Sequence, residues 1–208
     1  MRKKVRTVTP PVSTRLTTVV AVQSELRLTE DKDIERIELL IDQASSLVCD
    51  YCARQFARAT ISETIFSDQR EYYWDYDRPH TQIALSRLPI VEIVGIKANS
   101  TPFLYNNLDY DEESGVLDLR YGMGDIEVVY TGGYLLPGQD GSNLPGAVER
   151  ACIEVAAGIW HRASRGDPLL KRDRIEGIGD TEYYDQSVLG KGVLSSLAMG
   201  SLASYRLL

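Results

Sequence analysis

Residues 31–53, DKDIERIELLIDQASSLVCDYCA, decide the fold class, because their apolar side chains recur at alternating steps of three and four. That spacing places one apolar stripe along a helix and leaves the opposite face polar. Asp31, Asp33 and Glu35 fall in the first turn, where the helix dipole favours acidic side chains. The sequence therefore predicts a long amphipathic helix with one buried face. Its apolar positions are Ile34, Ile37, Leu40, Ile41, Ala44, Leu47, Val48 and Tyr51.

Two further helices are predicted on either side of the first. Thr17 or Thr18 can cap a short helix over 19–27. Pro145 opens a second long helix over 145–164, since proline is favoured in the first turn. The apolar stripe of this second long helix consists of Val148, Cys152, Val155 and Ile159.

Between the two long helices, residues 58–134 change from helical spacing to the alternation typical of strands. The segments TISETIF, TQIALSR, VEIVGIKA, GVLDLR and IEVVYTG are rich in β-branched residues and are separated by turn signals. They predict five or six short antiparallel strands. The predicted fold class is therefore α+β, with two main long helices and a small antiparallel β insertion between them.

Both ends of the chain are predicted to be flexible arms outside a central domain at 16–165. Residues 1–15 are basic and contain two consecutive prolines, which indicates a mobile N-terminal arm. Residues 166–208 form a C-terminal arm, glycine-rich at first, whose last part regains helical spacing. That last helix is either docked on the domain or free to bind a partner.

Composition limits the classes of function. The chain has 208 residues and a net charge of −7, which makes tight non-specific DNA binding a poor hypothesis. No apolar run is long enough to span a membrane, and the basic start lacks the apolar region of a secretory signal. Two stretches of the chain are basic, and each is either a solvated segment or a surface that faces a lumen or a partner. The first contains Arg2, Lys3, Lys4 and Arg6, and the second contains Arg162, Arg165, Lys171, Arg172 and Arg174.

The residues that could carry catalysis or bind a metal are not accompanied in the sequence by the further residues that such a site requires. Cys49 and Cys52 form a CxxC, but it lies late in a helix and no second pair supplies the remaining zinc ligands. His161 has no neighbouring nucleophile and acid, and the acidic segment 109–115 lacks the residues of a calcium loop. Neither Gly122-Met123-Gly124 nor Gly132-Gly133 is a phosphate loop. We therefore predict no catalytic, cofactor-binding or metal-binding residue.

The order of several short motifs resembles the phage head–tail connector family, whose members are also called DNA-packaging adaptors. The resemblance extends from about residue 16 to 165 and more loosely to the end. Its motifs are LTT (16–18), VQSELRL (22–28), LIDQAS (40–45), YCARQF (51–56), SRLPIV (86–91), VVYTGGY (128–134), the Leu144-Pro145 helix start and LASYR (202–206).

This resemblance implies a structural subunit and not an enzyme. It implies a homo-oligomeric ring of roughly twelve copies that lies under the portal protein and joins the capsid to the tail. Tail-side neck proteins, the stopper or terminator, would bind its other end. DNA would pass through the lumen without sequence-specific binding during packaging and ejection. The protein would be assembled in the host cytoplasm and reside in the virion neck, with no cofactor and no membrane contact.

The C-terminal arm is where we expect contacts with the portal and within the ring. Two alternatives stay open from the sequence alone. A DNA-contacting packaging or regulatory factor would show salt-sensitive DNA affinity. A hydrolytic enzyme, the less favoured alternative, would show a polar cluster in a pocket.

The residues predicted to contact the portal and neighbouring subunits of the ring are Arg172, Arg174 and Ile175 on the arm, and Leu194, Leu197, Leu202 and Tyr205 on the final helix.

Overall fold

The structure, a computed structural model, consists of helices and antiparallel sheets, which confirms the α+β class. The helices are α1 Val19–Leu26, α2 Ile34–Cys52, α3 Gly146–Ser164 and α4 Ser196–Leu202, and a 3-10 turn, Ala203–Tyr205, follows α4. The residues that the structure describes are 3–28, 33–66, 72–75, 78–102, 109–119, 124–164, 170–174, 180–183, 194 and 196–206.

The strands belong to three antiparallel sheets. A five-stranded sheet has the order β1-β2-β9-β5-β6, a four-stranded sheet has the order β3-β4-β8-β7, and β10 pairs with β11. The strands are β1 Lys3–Thr9, β2 Ala59–Ile65, β3 Tyr72–Asp75, β4 Arg78–Ala84, β5 Ile90–Ala98, β6 Thr101–Pro102, β7 Asp109–Tyr110, β8 Val116–Leu119, β9 Ile126–Gly132, β10 Leu170–Arg174 and β11 Asp180–Tyr183.

The chain divides into two compact units. One consists of Met1–Thr14 and Arg54–Asn143 and holds β1 to β9; the other consists of Arg15–Ala53 and Leu144–Leu208 and holds the helices with β10 and β11. This division differs from the predicted one into 1–15, 16–165 and 166–208. The N-terminal segment joins the β unit, and the C-terminal segment joins the helical unit.

The helical unit is built on the packing of α2 against α3. Five residues of the predicted α2 stripe are buried, whereas Ile34 is exposed and Leu47 and Tyr51 are half-buried. The buried face of α3 includes small residues that allow close approach of the two helices. Each fully buried aliphatic side chain contributes about 1.5–3 kcal/mol. The fully or almost fully buried residues of the pair are Ile37, Ile41, Ala44, Val48 and Cys52 on α2, and Val148, Ala151, Cys152, Val155 and Ala156 on α3.

The short helix α1 starts and ends through local backbone chemistry. The Thr18 hydroxyl accepts a hydrogen bond from the N–H of Ala21 at 3.3 Å, so the predicted threonine cap is present. Arg27 then adopts the left-handed conformation, with φ of 55°, and ends the helix. Asp33 precedes α2 in the same conformation, with φ of 67°.

The five-stranded sheet has its buried face at alternate residues. Along β9, Ile126, Val128 and Tyr130 are buried, and the residues between them are half-buried. Their neighbours across the ladder on β2 are Ile65, Glu63 and Ile61, all buried. An apolar layer therefore surrounds one carboxylate, Glu63.

Glycines at the end of β9 allow a close backbone contact. A Cβ on Gly132 would lie 2.3 Å from the carbonyl oxygen of Arg87. Gly133, with φ of 98°, would bring a Cβ within 2.7 Å of the carbonyl oxygen of Ala57. Gly132-Gly133 is thus the point where three segments of the β unit meet.

Two predicted arms contain regular structure instead. Lys3–Thr9, expected to be mobile, is a strand that pairs with β2 over its whole length. In the C-terminal segment, β10 and β11 form an antiparallel pair where an extended arm was expected. The aromatic segment Tyr72–Asp75 is a strand paired with β4. No helix in the described part of the chain is long and apolar enough to cross a membrane.

Candidate assembly surfaces

The end of the chain is docked on the helical unit. Helix α4 packs against α3, and its Ala198 and Leu202 are buried. The Tyr51 hydroxyl on α2 donates a hydrogen bond to the carbonyl of Met199 at 3.3 Å. The Arg206 guanidinium lies 5.1 Å from the centre of the Tyr51 ring. Of the two possibilities left open by the sequence, this arrangement is the docked terminal helix.

The predicted contact residues of the final helix differ in their accessibility. Leu202 is fully buried, so it is a core residue in this arrangement and is not available to a partner. Leu194 and Tyr205 are half-buried and retain accessible surface. Leu197 lies in α4, but its side chain is outside the described part of the structure.

The predicted contact residues of the arm lie on or near the hairpin of β10 and β11. Arg172 stands opposite Glu182 in the register, and Arg174 stands opposite Asp180. Ile175 falls outside the described residues.

A shallow groove of about 590 Å³ lies in the helical unit beside α2 and α3. Leu39, one turn before Gln43 on α2, is an apolar side chain that is 56% exposed. The Arg36 guanidinium covers the Trp160 ring, with 4.5 Å to its centre. The groove is lined by Asp42, Gln43, Ser46, Leu47 and Ile159.

Ion pairs hold the short segments of the helical unit to the long helices. Arg150 on α3 contacts both carboxylate oxygens of Glu25 on α1, at 2.7 and 3.0 Å. The hydrogen bond from Arg150 lowers the pKa of Glu25. Arg15 contacts Asp42 at 2.8 Å and Glu38 at 3.2 Å on α2. All of these groups are substantially exposed, so each pair contributes at most about 1 kcal/mol.

The inner face of the five-stranded sheet contains a polar cluster centred on Glu63. The N–H of Ser86 donates to Glu63 Oε1 at 3.0 Å, and the Tyr130 hydroxyl donates to the same oxygen at 2.5 Å. Lys3 Nζ lies 3.9 Å from Glu63 Oε2. Burial and the adjacent Glu63 carboxylate raise the pKa of Tyr130 above its usual value.

The outer face of the same sheet has a row of polar side chains that crosses three strands. The Ser62 hydroxyl on β2 donates to Glu127 on β9 at 2.6 Å, and Lys97 on β5 contacts Glu127 at 3.4 Å. These partners lower the pKa of Glu127, Ser62 most, and the charge of Arg6 on β1 adds to the effect. The row matches carboxylate with cation along the sheet.

The three cysteines and the acidic segment 109–115 are candidate sites of chemistry by residue type, but each has a structural role in the fold. Cys49, Cys52 and Cys152 are buried, and none forms a disulfide. Burial raises the pKa of Cys152 to about 12, which keeps the thiol protonated at neutral pH. Asp111 accepts backbone N–H groups of Glu113 at 3.0 Å and Ser114 at 3.4 Å, which is a turn motif. Within the described residues, no group of three or more His, Cys, Asp or Glu could hold a metal ion.

Comparisons with known proteins give a match of fold. No protein-family model matches the sequence, and the search of curated proteins found no match. A chain from the neck of an empty GTA particle, computed with C6 symmetry, matches with a TM-score of 0.57 and 14% identity, over 99% of this chain and 96% of that one.

Two further solved structures agree with this match. A chain from the virion of a native gene transfer agent (GTA) particle has a TM-score of 0.53 and 15% identity, over 98% of this chain and 95% of that one. A chain from the neck of a native GTA particle, computed with C12 symmetry, has a TM-score of 0.52 and 13% identity, over 99% and 96%. The protein therefore has the α+β fold of chains from gene transfer agent particles, including neck chains. This supports, at the level of fold, the resemblance to head–tail connectors.

Proposed function

We propose that this protein is a structural neck subunit, a head–tail connector of a tailed phage or of a phage-derived particle. The observation that carries the proposal is the match of fold with neck chains over nearly the whole length of both partners. The proposal also agrees with the site chemistry, since the cysteines and the acidic turn of the described chain have structural roles.

The proposed assembly is a homo-oligomeric ring that surrounds the DNA exit channel. The two neck structures were computed with C6 and C12 symmetry, which supports a ring of about twelve copies. A cyclic ring requires two different surfaces on each subunit, one that meets the preceding copy and one that meets the next. The net charge of −7 favours weak contact with DNA in the lumen.

The proposed partners are the portal protein on one side and the tail-side neck proteins on the other. For portal contact we propose the C-terminal segment, with Arg172, Arg174 and Ile175 on or next to the hairpin. The accessible parts of Leu194 and Tyr205 would add to this surface. Leu202 would instead hold α4 in place from within the core.

Light scattering of the purified protein, alone and mixed with the portal protein of the same particle, tests the proposal. A ring-sized mass, or a stoichiometric complex with the portal, is the expected result. A monomer that does not bind the portal protein but binds DNA in a salt-sensitive way would contradict the proposal and favour a DNA-contacting packaging factor. Bovine serum albumin in place of the portal protein controls for non-specific association.

A further inference from the structure

The N-terminal strand β1 is attached to its sheet mainly through its backbone. It pairs with β2 from Lys3, opposite Ile65, to Thr9, opposite Thr60. Every side chain from Lys4 to Thr9 is exposed, including Val5 at 52% and Val8 at 54%. The strand buries little apolar surface of its own, so hydrophobic burial contributes little to holding it in place.

Lys3 supplies the one specific side-chain anchor seen in the described part of this strand. Its ammonium lies 3.9 Å from Glu63 Oε2 and also donates a hydrogen bond to the carbonyl of Ala84. Glu63 is fully buried, and Oε2 has no hydrogen-bond partner. A buried carboxylate that loses its cation is strongly destabilising. The edge of β2 therefore requires a covering strand that begins with a cation.

Cations of β1 lie near carboxylates of the five-stranded sheet on both faces of that sheet. On the inner face, Lys3 meets Glu63. On the outer face, Arg6 stands opposite Ser62, and its charge acts on Glu127, the acid bonded to Ser62. On each face of the sheet, a cation of β1 thus lies near a carboxylate, Lys3 near Glu63 and Arg6 near Glu127.

The chain connects β1 to β2 by an indirect route. After Thr9 it passes through residues 10–14 and enters the helical unit at Arg15, and β2 follows only after α2. The linker contains Pro10 and Pro11, which donate no backbone hydrogen bonds, and Val12 is 93% exposed. No direct turn fixes β1 to the strand that it covers.

We propose that β1 is an exchangeable strand, which in the assembled ring pairs with β2 of a neighbouring copy of this chain instead of its own β2. The proposal rests on the proposed function, because it supplies the contact between adjacent subunits. Exchange preserves the backbone register and the pair of Lys3 with Glu63, so it adds no new unpaired group. Each copy gives one strand and receives one, which is the head-to-tail contact that a closed ring requires.

Two single-cysteine additions test this exchange, since Arg6 and Ser62 stand opposite each other in the register. Arg6→Cys protein and Ser62→Cys protein are mixed, assembled with the portal protein and oxidised. The expected product is a disulfide-linked pair of two different chains. The double variant R6C/S62C, oxidised as a monomer, should form the same bond internally and so controls for geometry, and each single variant alone controls for unrelated cross-links.

The outcomes separate the exchange from the proposed function. A ring of normal mass without cross-linked pairs, while the double variant closes internally, would overturn the exchange and leave the proposed function intact. If no ring forms, the mass measurement contradicts the proposed function. The exchange joins adjacent copies of the ring, so it is then overturned together with the ring.

A substitution of the anchor tests the role of Lys3 in the exchange. Lys3→Met removes the partner of Glu63 and favours release of β1, so cross-linked pairs should form at least about tenfold faster. Lys4→Met, on the opposite face of the strand, is the matched control and should leave the rate unchanged. Equal rates for both variants would overturn the assigned anchor.

Discussion

The Ser45 hydroxyl on α2 lies 3.5 Å from the Cys152 thiol on α3, and it accepts a hydrogen bond from the N–H of Leu16 at 3.0 Å. All three residues are buried. A single small polar side chain thus joins the entry of the helical unit to both long helices. Because the site is buried, loss of this hydroxyl would leave the N–H of Leu16 without an acceptor.

Replacement of Ser45 by alanine should destabilise the helical unit. The N–H of Leu16 would lose its acceptor in a buried site, at a cost of about 1–3 kcal/mol. Urea denaturation followed by circular dichroism measures the change. Ser46→Ala, an exposed position one residue along the same helix, is the control and should have no comparable effect. Equal stability of the two variants would contradict the role assigned to Ser45.

The cysteine thiols should be unreactive in the folded protein. Cys49, Cys52 and Cys152 are buried, and burial raises the pKa of Cys152 to about 12. At pH 8 a chromogenic thiol reagent should therefore react with none of them until denaturant is added, and with all three afterwards. Reaction of Cys152 in the folded state at the rate of a free thiol would show that the packing of α2 against α3 is wrong.

Gly132→Ala should disrupt the β unit, because the added Cβ would lie 2.3 Å from the carbonyl oxygen of Arg87. Relief requires a backbone shift where three segments meet, and we expect a loss of about 3 kcal/mol or more. Gly95→Ala on β5 is the matched control, since an added Cβ there meets no atom within 4 Å. Comparable thermal unfolding of the two variants would contradict the close contact.

Tyr130→Phe should lower stability at neutral pH by about 1.5–3 kcal/mol, because Glu63 loses a buried hydrogen bond. The pKa of Tyr130 is raised in the folded state, so the stability that depends on its proton is fully present below its ordinary pKa of 10.0. That stability is lost as the pH rises further. The stability difference between wild type and variant should therefore shrink above pH 10.

Urea denaturation at pH 7 and at pH 11 measures this difference, and the other tyrosines cancel in the comparison. Tyr134→Phe, at a position whose ring centre lies 6.4 Å from that of Phe56, is the control for loss of a tyrosine hydroxyl elsewhere in the β unit. A difference that stays constant or grows with pH would contradict the buried contact of Tyr130 with Glu63.

Leu202→Asp should release the C-terminal helix from the helical unit. Leu202 is fully buried, and a carboxylate at that site costs about 3 kcal/mol or more. Limited proteolysis should then cleave the C-terminal segment faster than in wild type. Ala203→Asp, at the next and exposed position, is the control. If both variants resist cleavage equally, Leu202 is not a core residue.

The sequence predicts the helices well because their stripes are long and regular. The α2 helix was expected at 31–53 and lies at Ile34–Cys52; the helix expected at 145–164 lies at Gly146–Ser164. Over nineteen residues in each, the apolar period is a stronger signal than any single residue. The same regularity on β9 marks the central strand.

The structures at the two ends lack such a signal. Strand β1, KKVRTVT, exposes nearly all of its side chains, so no alternation of burial marks it. Strand β10, LKRDR, has one apolar residue in five. Nothing in the local sequence singles out Glu63 as buried, since a charged side chain is rarely fully buried unless paired, and its cation, Lys3, lies about sixty residues earlier. Backbone pairing places β1 and β10, and a counter-ion distant in sequence accompanies the buried Glu63. Neither produces a recognisable pattern in the local sequence.

Deletion of the gene for this chain, followed by electron microscopy of the particles that form, tests the neck assignment most directly. We expect filled heads and free tails that do not join. Joining should return when the wild-type chain is supplied, and should not return with the destabilised Gly132→Ala chain. Complete, DNA-filled particles with attached tails in the absence of the chain would contradict its assignment as the connector.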